Sequence, residues 1–208
     1  MSNKMLACSV RYPCHSSLIA ECTFMQEHPL IELYVSVGND QQNTAVEQLL
    51  ATLDLDNVVF RTLRAVGIMQ KTMLTLLVTD DNGIRDMNLQ FRSQNKPTDV
   101  LSFPLLDQPL VQAPAEQLWP PKESEEGKTT PPFVSPPSEV INLGDIVMSW
   151  PTVVKQASEL GHNPRYELLY LLAHGVLHLV GYDDHTEAGY QAMVGIQRQM
   201  LASLEQKI

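Results

Sequence analysis

A chain of 208 residues holds one domain with a substantial core and is short for two ordinary domains with linkers. Apolar residues make up 44% of it, as in soluble globular proteins, and a formal charge of −10 argues against non-specific coating of a polyanion, which needs clustered Lys and Arg. Residues 106–140 carry six acids (Asp107, Glu116, Glu123, Glu125, Glu126, Glu139) against Lys122 and Lys128, so −6 is left for everything else and a local basic patch is allowed.

Residues 1–29 read as a disordered leader. Cys8, Cys14 and Cys22 all fall in it, an odd number with no C-x-x-C pair. That is neither a disulfide framework nor a zinc cluster, and it points to a reducing compartment. The leader has no apolar run long enough for a signal peptide, and no stretch of about 18 apolar residues occurs anywhere, so no membrane segment is expected. Lys4 and Arg11 among serines faintly resemble a transit peptide, and Met5 and Met25 equally allow an overlong start.

"LIELYVSV" (30–37) alternates Ile31, Leu33, Val35 and Val37 with polar residues, the period of a half-buried strand. Val46, Leu49, Leu50 and Leu53 predict a helix over about 44–53. "TMLTLLVT" (72–79) is a more buried strand. Asp80 or Asp81 then caps a helix through about residue 92, with Ile84, Met87, Leu89 and Phe91 as apolar contacts.

"TDVLSF" (98–103) and "NLGDIVMS" (142–149) are further strands. Residues 105–141 hold eight of the fourteen prolines and few apolar clusters. Their composition cannot offset the entropy of ordering, which predicts a long exposed loop over 106–140, with Trp119 and Phe133 loosely packed or serving as docking points. After Pro151, "TVVKQASEL" is a helix stopped by Gly161. Pro164 opens "RYELLYLLAHGVLHLV", ended by Gly181 and apolar nearly all round, so it belongs in the middle of the fold. A last helix over about 187–206 carries Tyr190, Met193, Val194, Leu201 and Leu204 on one core-facing stripe. The order β-α-β-α-β-β-α-α-α implies one α+β domain over 30–208, a small mixed β-sheet packed by helices around a central buried histidine-bearing helix.

"AHGVLHLVGYDDHTE" (173–187) holds three of the chain's six histidines. His174 and His178 project from one helix face one turn apart, and two such imidazoles can ligate one zinc ion. The reversal at Gly181 can bring back a residue five to seven places after His178. Three protein ligands with an open fourth position is the layout of a catalytic site. A single histidine in an apolar helix is usually a hydrogen-bonded core residue; two at this spacing, unpaired beside Leu and Val, would be costly without a partner. The metalloprotease helix H-E-x-x-H keeps a general base at its second position, where this chain has Gly175, so ordinary peptidase chemistry loses its base. "FRSQNKPTDVLSFP" (91–104) concentrates Arg92 and Lys96 before a strand, a candidate phosphate-binding block that on its own also fits a solvated helix end.

Three blocks, "MNLQFRSQNKPTDVLSFP", "LGDIVMS" and "HGVLHLVGYDDH", occur in the order of the YbeY family of endoribonucleases, and the chain resembles that family over roughly residues 72–200. The resemblance implies a zinc-dependent, single-strand-specific RNA endonuclease acting in 16S rRNA 3′-end maturation and ribosome quality control. Its partners would be an rRNA precursor and the small ribosomal subunit, and its compartment the cytoplasm. By the same resemblance Arg92 is the functional arginine and His174 and His178 are the first two metal ligands. There are two departures. The proline-rich segment is longer than the family's. And where the family reads G-Y-D-H, with its third histidine six residues after the second ligand, this chain has Asp184 at that position and His185 one further on. Either His185 is the ligand after a one-residue insertion, or Asp184 has replaced it. The family's Met nine residues on coincides with Met193 when counted from Asp184, which favours Asp184. Asp183 or His185 can then act behind the ligands. A zinc peptidase or other small-substrate hydrolase, and a non-enzymatic ribosome assembly protein with a structural metal, are the rival readings.

Overall fold

The computed structural model describes residues 30–121 and 140–205, with side chains through residue 202. The leader with its cysteines, residues 122–139 with Phe133, the Leu204 side chain and residues 206–208 lie outside the described residues. In chain order the elements are β1 (Leu30–Ser36), α1 (Asp40–Leu50), α2 (Leu55–Ala65), β2 (Thr72–Thr79), α3 (Asp81–Arg92), β3 (Val100–Pro104), β4 (Ile141–Ser149), α4 (Trp150–Leu160), α5 (Pro164–Val180) and α6 (Glu187–Glu205).

The strands form one mixed sheet in the order β1-β2-β4-β3. β1, β2 and β4 run parallel, and β3 pairs antiparallel with β4. Successive residues of a strand face opposite sides, and the two cores divide accordingly. Leu76, Val78, Ile146 and Met148 join the main core with α2, α5 and α6. Leu101 and Val147 join Ile84 of α3 in a smaller cluster on the other face. α5 lies across β3 and β4 and is flanked by α2, α4 and α6. Leu168, Leu172, Val176, Leu177, Leu179 and Val180 are all fully buried, as expected of the central helix. The fold is thus the expected α+β domain.

Local differences have local causes. α1 starts at Asp40 rather than 44 because Asn39 and Gln42 form a reciprocal capping box. α2 has no counterpart in the predicted order, although Leu55, Val58, Val59, Thr62 and Leu63 are buried at helical spacing behind the N-cap Asp54. In α3 only Ile84 of the four expected apolar contacts is fully buried; Leu89 and Phe91 face outward, Phe91 stacking edge-on against Phe103. Tyr190 of α6 is likewise exposed, at the margin of a cleft, whereas Met193, Val194 and Leu201 are buried.

The largest difference is in the proline-rich segment. Its first part, residues 106–121, keeps many side chains exposed, as expected of a loop, but its apolar residues are packed down. Val111 is buried, and Leu106, Leu110, Ala113 and Leu118 pack on the core. Leu110 and Val111 both donate backbone N–H groups to the Val180 carbonyl, at 2.9 and 3.3 Å. Trp119, expected to be loose, donates its backbone N–H to Gly181 and its indole Nε1–H to His178, at 3.0 and 2.9 Å. Gly181 has φ of 132° and passes so close to Pro109 that a Cβ would lie 2.6 Å from its ring. Only glycine permits both.

Candidate metal centre

Glu167, Leu171, His174 and His178 recur at helical spacing along one face of α5 and line a cleft of about 820 Å³ beside β3. The helix is started by Asn163, whose side chain accepts from Arg165 N–H, with Pro164 in the first turn. Gly175 explains how close the helix comes to the sheet. A Cβ there would lie 2.9, 3.1 and 3.2 Å from three atoms of Ile146. The position that carries the base in metalloproteases therefore faces the sheet's side-chain layer, and no carboxylate fits.

His174 and His178 turn their Nε2 atoms toward each other at 3.0 Å, with the rings nearly perpendicular. His178 Nδ1 lies 3.0 Å from the Tyr182 carbonyl, which fixes that ring. Burial disfavours the charged form of both imidazoles: desolvation lowers His174, and desolvation with His174 alongside lowers His178 to about 4.

The turn that follows carries the third position. The Asp183 N–H donates to the Gln117 carbonyl at 2.9 Å, and Thr186 Oγ1 donates to the Glu116 carbonyl at 2.5 Å, so residues 106–121 form a strap that holds both ends of the turn. Gly189, in the first turn of α6, lies against the Asp183 carbonyl; a Cβ there would be 1.8 Å from that oxygen. Asp184 Oδ2 is 3.7 Å from His174 Nε2, and its Oδ1 is 3.9 Å from His178 Nε2. His185 does not join this group. Its side chain is 83% exposed, and its ring bonds Asp183 Oδ1, which also accepts the His185 N–H at 3.2 Å. Burial would raise Asp183, but the bonds from His185 outweigh it and hold the carboxyl below its usual range; the same bond raises His185. Among the described residues, groups able to share an ion are therefore His174, His178 and Asp184, and a second overlapping set of Asp183, Asp184 and His185. A tetrahedral ion about 2.0–2.1 Å from each donor would hold its ligand atoms about 3.3 Å apart. The spacings of 3.0, 3.7 and 3.9 Å bracket that value, so the first set fits a zinc ion.

Arg92 ends α3, and Ser93 (φ 56°) then reverses the chain in the left-handed conformation. The guanidinium lines the cleft near enough to His185 to oppose its protonation. Lys96 is exposed and does not line the cleft; its carbonyl accepts from buried Asn88 Nδ2 at 2.8 Å, which pins the 93–97 loop. Sequence reasoning missed Asp99, Gln156 and Gln197. Asp99 accepts from the Val100 N–H, Thr98 and Gln156 and opposes the lowering of His174. Its place in the "TDVLSF" block was the one available signal.

Fold and site define an α+β protein in which a helix-borne histidine pair and a carboxylate share one cleft with an arginine. The chain belongs to the YbeY family: the family model described as Endoribonuclease YbeY matches residues 36–205. An endoribonuclease YbeY of Moorella thermoacetica is 36% identical over 170 residues, 81% of this chain and 96% of its own. That of Desulforamulus reducens is 38% identical over 159 residues, 76% of this chain and 89% of its own. A Thermotoga maritima protein solved in solution is 22% identical, covers 82% of this chain and 86% of its own, and superposes with a TM-score of 0.45. No described helix is long and apolar enough to cross a membrane.

Proposed function

We propose that the chain is a zinc-dependent, single-strand-specific endoribonuclease that matures the 3′ end of 16S rRNA and acts in ribosome quality control, in the cytoplasm on small-subunit precursors. The name carried by its relatives supports the reaction class. The single observation that carries the site is that Arg92 lines the same cleft as His174, His178 and Asp184, although they are remote in sequence.

The charge of the cleft supports a metal. Among the described residues that line it, Arg92 is the one Lys or Arg, against Asp99, Glu159, Glu167, Asp183 and Asp184. Such a surface repels a polyanion unless a cation is added. His174, His178 and Asp184 would hold the zinc, which would supply Lewis acidity toward a phosphoryl oxygen or an attacking water. The neutral imidazoles offer nitrogen lone pairs, and Asp184 offsets the ion's charge. Arg92 grips the scissile phosphate or its neighbour through its planar fork and stabilises charge developing on the oxygens. Lys96, outside the cleft, meets a flanking phosphate.

The test is cleavage of a single-stranded RNA oligonucleotide and its duplex by zinc-loaded protein free of contaminating nuclease. The single strand should be cut, the duplex spared, and a chelator should stop the reaction. Arg92→Ala should slow cleavage by about 100-fold, the loss seen when one preorganised charge-stabilising donor is removed. No cleavage by wild type, or equal cleavage by Arg92→Ala, overturns the mechanism. Binding of rRNA without cleavage would favour the assembly-protein reading, and chelator-sensitive peptide cleavage the peptidase reading, which Gly175 against Ile146 disfavours.

A further inference from the structure

Two histidines can both offer Nε2 to one ion only if each carries its proton on Nδ1, and each Nδ1–H then needs an acceptor. His178 has the Tyr182 carbonyl. His174 lies mid-helix, where the carbonyls around it are engaged by the helix itself.

On α6, Gln197 is 1% exposed and lines the cleft with His174. Its Nε2 donates to the Tyr170 carbonyl at 3.2 Å. Tyr170 precedes His174 by one turn, and helical side chains lean toward the N-terminus, so the His174 ring lies over that same turn. With Nε2 spent on the carbonyl, the orientation of the amide is fixed and Oε1 points away from it. This buried oxygen has no hydrogen-bond partner among the described residues. An orphan of that kind is rare in a folded protein and calls for an explanation. The Gln197 side chain lies within hydrogen-bonding reach of the His174 ring.

We propose that Gln197 is the positioning residue of His174: its Oε1 accepts the Nδ1–H bond and holds the ring with Nε2 turned toward His178 and Asp184. The inference rests on the metal reading and deepens it by naming what orients the first ligand. Gln197 does not touch the ion or the substrate; it acts through the imidazole.

The experiment compares wild type, Gln197→Leu, which keeps the volume and loses the acceptor, and Gln197→Glu, which keeps an acceptor. Zinc affinity is read by competition with a chromophoric chelator, and the His174 Nδ1–H by ¹⁵N-histidine NMR of the zinc-loaded protein. Gln197→Leu should bind zinc about 10–100-fold more weakly, the usual cost of losing a ligand's outer partner, and its Nδ1–H signal should shift or exchange away. Gln197→Glu should restore both. A purely packing role would not be rescued by Glu and would leave the Nδ1–H signal in place. A folded Gln197→Leu with wild-type affinity, or a Glu variant as weak as Leu, overturns the proposal; Gln197→Met stands in if Leu does not fold. Wild type that takes up no zinc overturns the metal reading and this inference together, whereas wild type that binds zinc no better than Gln197→Leu overturns this inference alone.

Discussion

Asp184→Ala and His185→Ala, made separately, discriminate between the two neighbours that compete for the third ligand position. In zinc-finger peptides about 10–16 kcal/mol of apparent binding free energy is shared by four ligands, so one ligand is worth roughly 3 kcal/mol, or roughly 100-fold in Kd. Asp184 has both oxygens within 3.9 Å of a histidine Nε2. Its side chain is 37% exposed, so water replaces part of what is lost and the roughly 100-fold figure is not exceeded. His185 is turned to solvent and bonded to Asp183, not to any of His174, His178 and Asp184, so its removal should cost less than the roughly 10-fold at which losses of a ligand's direct partner begin. The assay is zinc competition against a chelator at pH 7, with bound zinc measured after desalting. A loss for His185→Ala equal to or greater than that for Asp184→Ala refutes the reasoning, because the turn would then have to swing His185 inward around the ion.

Metal-stripped protein should lose stability as pH falls from 6.5 toward 4. Desolvation, then His174, lowers His178 to about 4, so the unfolded chain takes the proton first. The contribution is complete above the unfolded value and is lost as pH falls through the folded one, about 3 kcal/mol at most. It is read as the extra loss of wild type over His178→Gln in urea melts, and equal losses would contradict it. Gly189→Ala sets a Cβ against a backbone oxygen that cannot yield, and should cost about 2 kcal/mol or more, lowering Tm by about 4–8 °C and weakening zinc binding. A wild-type Tm would refute that close approach. Trp119→Phe keeps the ring but loses the 2.9 Å bond to His178, and should cost about 1 kcal/mol in the same melt; no loss would mean the bond contributes nothing.

Elements whose pattern is set by one-dimensional periodicity were legible in the sequence. β1, β2, α3 and α5 fall where alternation, capping and apolar runs put them. So did the histidine pair, because a spacing of four on a helix dictates a shared face whatever surrounds it. Residues whose role depends on a distant partner were not legible. Nothing near Gln197 in sequence indicates Tyr170, and nothing near Asp99 indicates Gln156. Leu89 and Phe91 show the opposite error: apolar residues at an amphipathic helix's end were assigned to a core that does not reach them. α2 carries the same helical spacing of apolar residues, and no physical feature explains its absence from the predicted order.

The proline-rich segment failed for a different reason. Composition gives what a segment can bury against itself, and by that measure residues 106–121 are too poor to order. A helix, however, ends with carbonyls that have no partner within it. α5 ends against the strap, so the His178, Val180 and Gly181 carbonyls receive donors from Leu110, Val111 and Trp119. The strap in turn offers the Gln117 carbonyl to Asp183 and the Glu116 carbonyl to Thr186. The helix end thus satisfies the strap's backbone donors, and the strap fixes the turn bearing Asp184 on both sides. An exposed loop predicted from composition assumes that a segment must supply its own partners. Here they come from the far end of another element, and the same bonds that order the segment set the distance from Asp184 to the two histidines.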